Sequence, residues 1–210
     1  VTGVQTCALP ISFTMSLANR FDDQLRLALQ LFPHTRRYIV VGSMRAETVQ
    51  GFRDAWGRLA PAGRHLEVWS DELSFEELEQ KAAALPADSL LQFTLMGRDR
   101  LGRTATPRAV VERLARSASV PVLVGHQTLL QSGALGGLVL SADRVGRFMG
   151  ELMLGNHPAR DVANFYEYRF DSPTMARWEI RDERLPAGSR IDRRPRSEEH
   201  TSETPVTATS

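Results

Sequence analysis

Tyr38-Ile39-Val40-Val41-Gly42 is apolar without a break and closes on glycine, the pattern of a short strand buried on both faces. Similar runs recur along the chain at residues 89–95, 120–125 and 136–141, and a more alternating one, His65-Leu66-Glu67-Val68-Trp69, reads as a strand nearer an edge. Between them the apolar period changes to that of a helix. Residues 21–32 carry helical spacing stopped by Pro33, and residues 46–60 place Val49, Phe52, Trp56 and Leu59 on one face. Ser74 with Glu77 reads as a capping box opening a helix that runs to Leu85. Residues 107–117 start on Pro107, which suits a first helical turn, and residues 143–154 form another helix stopped at Gly155-Asn156. Strands alternating with helices of about ten to fifteen residues require βαβ units with right-handed crossovers. The expected fold is therefore α/β, a three-layer sandwich around a mostly parallel five-stranded sheet. After Ala159 the rhythm stops: residues 164–171 read as one more strand, residues 173–178 as a short helix and residues 185–189 as a turn.

The two ends do not follow this logic. Residues 1–11, VTGVQTCALPI, carry no charge and lack the basic flank of a secretory leader. Back-translated, they match a common sequencing-adapter sequence, and RSEEHTSE at residues 196–203 matches the reverse complement of the same adapter arm. Residues 1–11 and 196–210 are therefore expected to be adapter-derived, and the native polypeptide to be residues 12–195. Composition then shifts. The whole chain carries 26 basic and 25 acidic side chains; discounting Arg196, Glu198, Glu199 and Glu203 moves the formal charge from +1 to +3. That balance is too weak to imply nucleic acid or an anionic membrane surface. The one cysteine, Cys7, falls in the discounted head, which leaves the native part without disulfides, thiolate metal sites or a cysteine nucleophile. No apolar run approaches the roughly 18 residues of a spanning helix.

Open parallel sheets bind ligands beyond the carboxyl ends of their strands. The loops there are Ser43-Met44-Arg45, residues 96–102, residues 125–133 and residues 141–145. None holds a GxGxxG or a GxxxxGK[ST], so a dinucleotide or P-loop site is unsupported. A phosphate-receiver site is also poorly matched, since Ser43 stands where an acid is needed and the only lysine, Lys81, lies on a helix. RDRLGR at residues 98–103 is the most charged loop. Arg98 or Arg103 could clamp a carboxylate with a guanidinium fork, or the loop could be a solvated turn with local ion pairs. His126 and Gln127 follow the fourth strand as polar contacts, with no evident triad partner. His34, His65, His126 and His157 show no metal spacing. Gly133 and Gly136-Gly137 mark either a backbone turn needing positive φ or a plain strand entry.

ALQLFPHTRRYIVVG, GFRDAW, ALPADSLLQF, RDRLGR, SVPVLVGHQTLLQSGALGG and DRVGRFMGELMLGNHP, in this order and spacing, resemble the type I periplasmic-binding-protein superfamily. The likeness is to its ABC-transporter substrate-binding group. WEIRDERLPAGS resembles the version fused to bacterial sensor histidine kinases as an extracytoplasmic input domain. The resemblance spans about residues 19–192. It implies a two-lobed clamp closing on a small ligand, with residues 12–158 as the second lobe, the first lobe largely missing, and residues 159–195 returning toward it. On that reading the strand at 164–171 lacks its native partner.

The resulting expectation is a non-enzymatic module that senses or delivers a small molecule at Ser43, Thr94, Arg98, Asp99 and Gln127, with no cofactor, no metal and no nucleic acid. Its partner would be a membrane-embedded kinase or permease, and its compartment periplasmic or extracytoplasmic. Two alternatives are carried: the effector domain of a LacI-type regulator, and an α/β enzyme with Asp99 and His126 as acid and base.

Overall fold

The computed structural model describes residues 20–156 and 165–194; residues 1–11 and 196–210, expected to be adapter-derived, lie outside the described residues. Seven strands form one sheet in the order β2-β1-β3-β4-β5-β6-β7. They are β1 (Arg37–Val41), β2 (His65–Trp69), β3 (Ser89–Phe93), β4 (Val122–Val124), β5 (Gly136–Leu140), β6 (Tyr166–Asp171) and β7 (Arg190–Asp192). The first five run parallel, β6 is antiparallel to β5, and β7 is parallel to β6. Among the described residues six α-helices flank the sheet, α1 (Phe21–Leu31) ahead of β1 and the others between strands: α2 (Ala46–Leu59), α3 (Phe75–Ala83), α4 (Pro107–Ser117), α5 (Ala142–Met153) and α6 (Ser172–Arg177). The result is a three-layer α/β sandwich.

Strand pleating sends alternate side chains to two separate cores. Ile39, Val41, Leu91, Phe93, Val122, Val124 and Val139 pack with α3 and α4 through Leu78, Val110, Val111 and Leu114. Tyr38, Val40, Leu90, Leu123, Leu138 and Phe170 pack on the opposite face with α1, α2 and α6. All five residues of β3 are buried, as its central place between two helical layers requires. On α2 the ring of Phe52 meets Phe21 at 4.2 Å, and Trp56 stacks on Tyr38 at 5.7 Å. The cap of α3 forms where the sequence places it. Ser74 accepts from the Glu77 N–H while Glu77 accepts from the Ser74 N–H, and Thr106 caps α4 ahead of Pro107.

The sheet is larger than the five strands expected. β6 does not lack a partner: Tyr166, Glu167, Tyr168, Arg169 and Phe170 pair with Leu140, Val139, Leu138, Gly137 and Gly136 of β5. The cause is the open outer edge of β5, whose backbone groups need partners, and the fully buried Phe170, which anchors the pairing in the α1–α2 core. The three-residue β7 contributes a single apolar side chain, Ile191, and is held by charge. The Arg169 guanidinium reaches Asp192 at 2.9 and 3.1 Å, and Arg193 reaches the buried Asp171 carboxylate at 2.6 Å through two nitrogens. Among the described residues no helix is long and apolar enough to cross a membrane.

Candidate functional site

Strand order reverses between β1 and β3: β2 follows β1 on one side, β3 lies on the other. In an open α/β sheet such a switch point is where a crevice forms, beyond the carboxyl ends of the two strands. Their ends approach closely. A Cβ on Gly42 would lie 2.0 Å from Thr94 Oγ1 and 2.9 Å from the Leu95 carbonyl oxygen, so only glycine fits. The gap is laced with short bonds. Thr94 N–H and Oγ1–H both donate to the Val41 carbonyl, at 2.9 and 3.0 Å, and Ser43 N–H donates to the Leu95 carbonyl at 2.9 Å. This leaves Ser43 exposed at the rim, Thr94 half-buried, and the apolar side chain of Leu95 exposed beside them. Neutral hydroxyls and one apolar side chain on a rigid edge can hold a small polar molecule by hydrogen bonds and contact.

The charged loop after β3 has a different role. Asp99 is withdrawn from solvent, its side chain fully buried. One carboxylate oxygen accepts from the N–H groups of Leu101 and Arg103 at 3.0 and 2.9 Å. The other accepts from the Phe75 N–H at 3.3 Å and from the Arg103 guanidinium at 2.9 and 2.6 Å. Burial pushes the Asp99 carboxyl pKa up, but the bonds from Arg103 and the backbone outweigh it and hold the group below its ordinary value. Arg103 continues to Glu76, Arg100 grips Glu77 at 2.7 Å through two nitrogens, and Arg113 of α4 joins Glu76 and Glu79. Arg103 and Arg113 both lie over the Phe75 ring, at 5.7 and 5.5 Å. Glu76 is held at about 2, chiefly by its bond from Arg103, and Glu77 at about 2, chiefly by its bonds from Arg100. The loop is thus a clasp that staples the first turn of α3. Asp99, expected to touch ligand, instead caps that helix because the amide at its first position needs an acceptor. Arg98 stays exposed on the flank, in an isolated bridge with Thr104.

Gln127 occupies the neighbouring edge, beyond β4 and β5. Its amide nitrogen donates to Asp143 at 2.9 Å, and its oxygen accepts from the Ser141 hydroxyl at 3.2 Å. Ser141 also caps α5, accepting from the Arg144 N–H at 3.4 Å. Gln127 is therefore a strut between the β4 turn and the start of α5, and it presents the exposed Asp143 to the edge. His126 is half-buried and bridges to Leu140; burial lowers its pKa. Among the described residues no hydrogen bond joins His126 to Asp99, whose carboxylate is fully engaged elsewhere.

Ser43 and Thr94 are thus brought together at one crevice, with Arg98 to the side, Gln127 on the adjoining edge and Asp99 behind. Sequence reasoning missed Leu95, Ser141 and Asp143. The pattern Ser141-Ala142-Asp143 directly after a strand carried the signal for the last two, as a helix cap with an acid in the first turn. Among the described residues no group of three His, Cys, Asp or Glu side chains could hold a metal ion.

No family model matches the chain, and no curated protein matches it. Solved structures do. A conserved domain protein from Vibrio cholerae O1 biovar eltor str. N16961 aligns with a TM-score of 0.55 at 11% identity, covering 81% of this chain and 60% of that one. An ABC domain from Streptococcus pneumonia, in complex with L-Trp, aligns with a TM-score of 0.58 at 13% identity, covering 82% and 62%. At such identities the likeness is one of fold. The chain spans about 60% of the length of these two structures.

Proposed function

We propose that this chain is the ligand-binding lobe of a two-lobed extracytoplasmic module that senses or delivers a small polar molecule. The observation that carries the reading is the accessible Ser43–Thr94–Leu95 crevice at the switch point, left open while the charged loop beside it is locked into the fold. Two further features support it. Both similar folds are matched across about four-fifths of this chain, and one of those structures was solved in complex with L-Trp. The apolar side of α5 also stays open, with Met149, Met153 and Leu154 exposed and only Phe148 buried, against Phe165. A helix of that kind fits a surface that meets another body. In this reading Ser43 and Thr94 offer hydroxyl contacts, Leu95 an apolar one and Arg98 a charge, while Gln127 fixes Asp143 at the adjoining edge. Closure of the clamp would be read by a sensor kinase or a permease.

Thermal unfolding of the chain with a panel of amino acids, L-Trp included, tests the reading. A ligand at a hundred times its Kd adds about 2.7 kcal/mol, and Ser43→Trp, which fills the crevice without touching either core, removes that shift. If no panel member moves the midpoint, or if Ser43→Trp leaves a shift intact, the crevice is not the site.

A further inference from the structure

The opposite end of the sheet holds a second cleft. At the amino ends of β1, β2 and β3 a cavity of about 710 Å³ is lined by Pro33, His34, Arg36, Gly63, Arg64 and Asp88, among others. Its frame is fixed by backbone bonds. Asp88 carbonyl accepts from the N–H groups of Arg36 and Arg37 at 2.7 and 3.2 Å, and Arg36 carbonyl accepts from the His65 N–H at 2.8 Å. The Arg64 guanidinium donates to the Pro33 carbonyl at 2.8 Å, tying the loop before β2 to the loop before β1.

The carboxylate of the cleft, by contrast, is left without a side-chain partner. Asp88 Oδ1 is buried and has no hydrogen-bond partner. Among the described residues no ion pair joins Asp88 to His34, Arg36 or Arg64, although all four line the same cleft. The α3–α4 clasp shows what happens when this chain places charges together for stability: carboxylates and guanidinium groups close onto each other at about hydrogen-bond distance. A buried carboxylate oxygen without a donor is costly, and groups of that kind are found where a ligand or water completes the bonding. The other carboxylate oxygen of Asp88 is neither enclosed nor bonded within the described residues, so an ammonium entering from the cavity would meet the carboxylate there, and the two arginines with His34 would take a negative group at the other end of the same molecule.

We propose that this cleft is a second binding site, for a small zwitterion whose ammonium meets Asp88 and whose carboxylate meets Arg36 and Arg64. It lies at the other end of the sheet from the Ser43–Thr94 crevice and stands whether or not that crevice binds ligand.

An NMR titration of the full chain with glycine, with acetate and methylammonium as single-charge controls, tests it. Glycine gives saturable shifts at the amides of Arg36, Gly63, Arg64 and Asp88, and acetate or methylammonium alone binds about tenfold more weakly or worse. Asp88→Asn, which keeps the backbone carbonyl that holds the cleft, weakens glycine about tenfold and leaves acetate unchanged. Arg36→Ala weakens glycine and acetate alike, and serves as the second variant should Asp88→Asn unfold. Shifts that rise without saturation, equal binding of glycine and acetate, or indifference to both substitutions would each overturn the proposal and leave only a solvated charged cleft.

Discussion

Gly136→Ala is expected to be among the most damaging small substitutions in this chain, and the structure says why. Gly136 opens β5 with φ at 108°, a conformation that side chains with a Cβ rarely adopt. A Cβ built there lies 2.1 Å from the Arg169 carbonyl oxygen and 2.8 Å from the Phe170 Cα. Both atoms belong to the backbone of β6, so no rotamer change relieves the overlap. The positive φ alone costs alanine about 1–3 kcal/mol, and displacing well-packed neighbours adds about 1–3 kcal/mol more. The sum, roughly 2–6 kcal/mol, is a large fraction of the about 5–15 kcal/mol stability of an ordinary domain. At about 2–4 °C per kcal/mol for a chain of this length, the midpoint falls by roughly 4–24 °C. Urea unfolding measures this directly, with Gly57→Ala as control. Gly57 sits on an exposed part of α2, and a Cβ there would meet nothing within 4 Å. That substitution stabilises by about 0.4–1 kcal/mol through the unfolded chain and helix propensity. If Gly136→Ala unfolds within about 0.5 kcal/mol of the parent, outside the range assigned to the two costs together, the β5–β6 pairing does not have the register described.

Other expectations follow from single interactions. Ser74→Ala removes the hydroxyl that caps α3 and leaves the backbone N–H bond to Glu77 in place, lowering stability by about 1 kcal/mol in urea unfolding. Glu76 and Glu77 have folded pKa values near 2, below their ordinary 4.5, so their contribution is full above pH 4.5 and is lost as pH falls toward 2. Protection from hydrogen exchange at residues 97–104, referred to the intrinsic exchange rate at each pH, should therefore fall across that window, and added salt should narrow the effect because both carboxylates are solvent-exposed. Tyr38→Phe takes the hydroxyl donor from Gln92 Oε1, a 3.3 Å bond in the buried interior, and costs about 1–3 kcal/mol by leaving that oxygen without a partner; a gain in stability would show that the bond is not made.

The parallel core was legible because each strand there is a continuous apolar run flanked by helices whose periods are unambiguous. β1 through β5, with the cap at Ser74 and the helix start at Pro107, follow from local pattern alone. The last two strands did not, for two different reasons. β6 alternates Tyr166, Tyr168 and Phe170 with Glu167, Arg169 and Asp171, so its own sequence announces a strand but not its neighbour; the partner is set by which sheet edge remains open. β7 has one apolar residue in three, and its pairing depends on ion pairs with residues twenty or more positions away. The site shows the same division. Ser43 and Thr94 could be placed from strand ends, whereas the fate of Asp99 depended on the amide of Phe75, 24 residues earlier in the chain. Of the two readings open for RDRLGR, the turn with local ion pairs describes residues 99–103, and only Arg98 keeps the other role available. The chain resolves Gly133 and Gly136-Gly137 as positive-φ positions, with φ of 87°, 108° and 148°.

The two ends of the sheet differ in chemistry, and that difference can be measured without knowing a ligand in advance. At the carboxyl end the accessible groups of the crevice are the Ser43 and Thr94 hydroxyls and the Leu95 side chain, all neutral, with the exposed Arg45 and Arg98 in the flanking loops. At the amino end the cleft is framed by Arg36, Arg64, His34 and Asp88. Exposed charges are screened over about 8 Å at physiological ionic strength and about 3 Å at 1 M, while neutral hydrogen bonds and apolar contact are not. A molecule held in the crevice by neutral groups should keep its affinity as salt rises, and one held in the amino-end cleft should lose it steadily. Chemical-shift titrations at low and high salt, followed separately at the Ser43 and Arg64 amides, read both ends in one experiment. Strong salt dependence at Ser43 that vanishes in Arg98→Ala would show that Arg98, not the hydroxyl pair, dominates recognition there. Salt independence at Arg64 would mean that the charges lining the amino-end cleft do not hold what binds it.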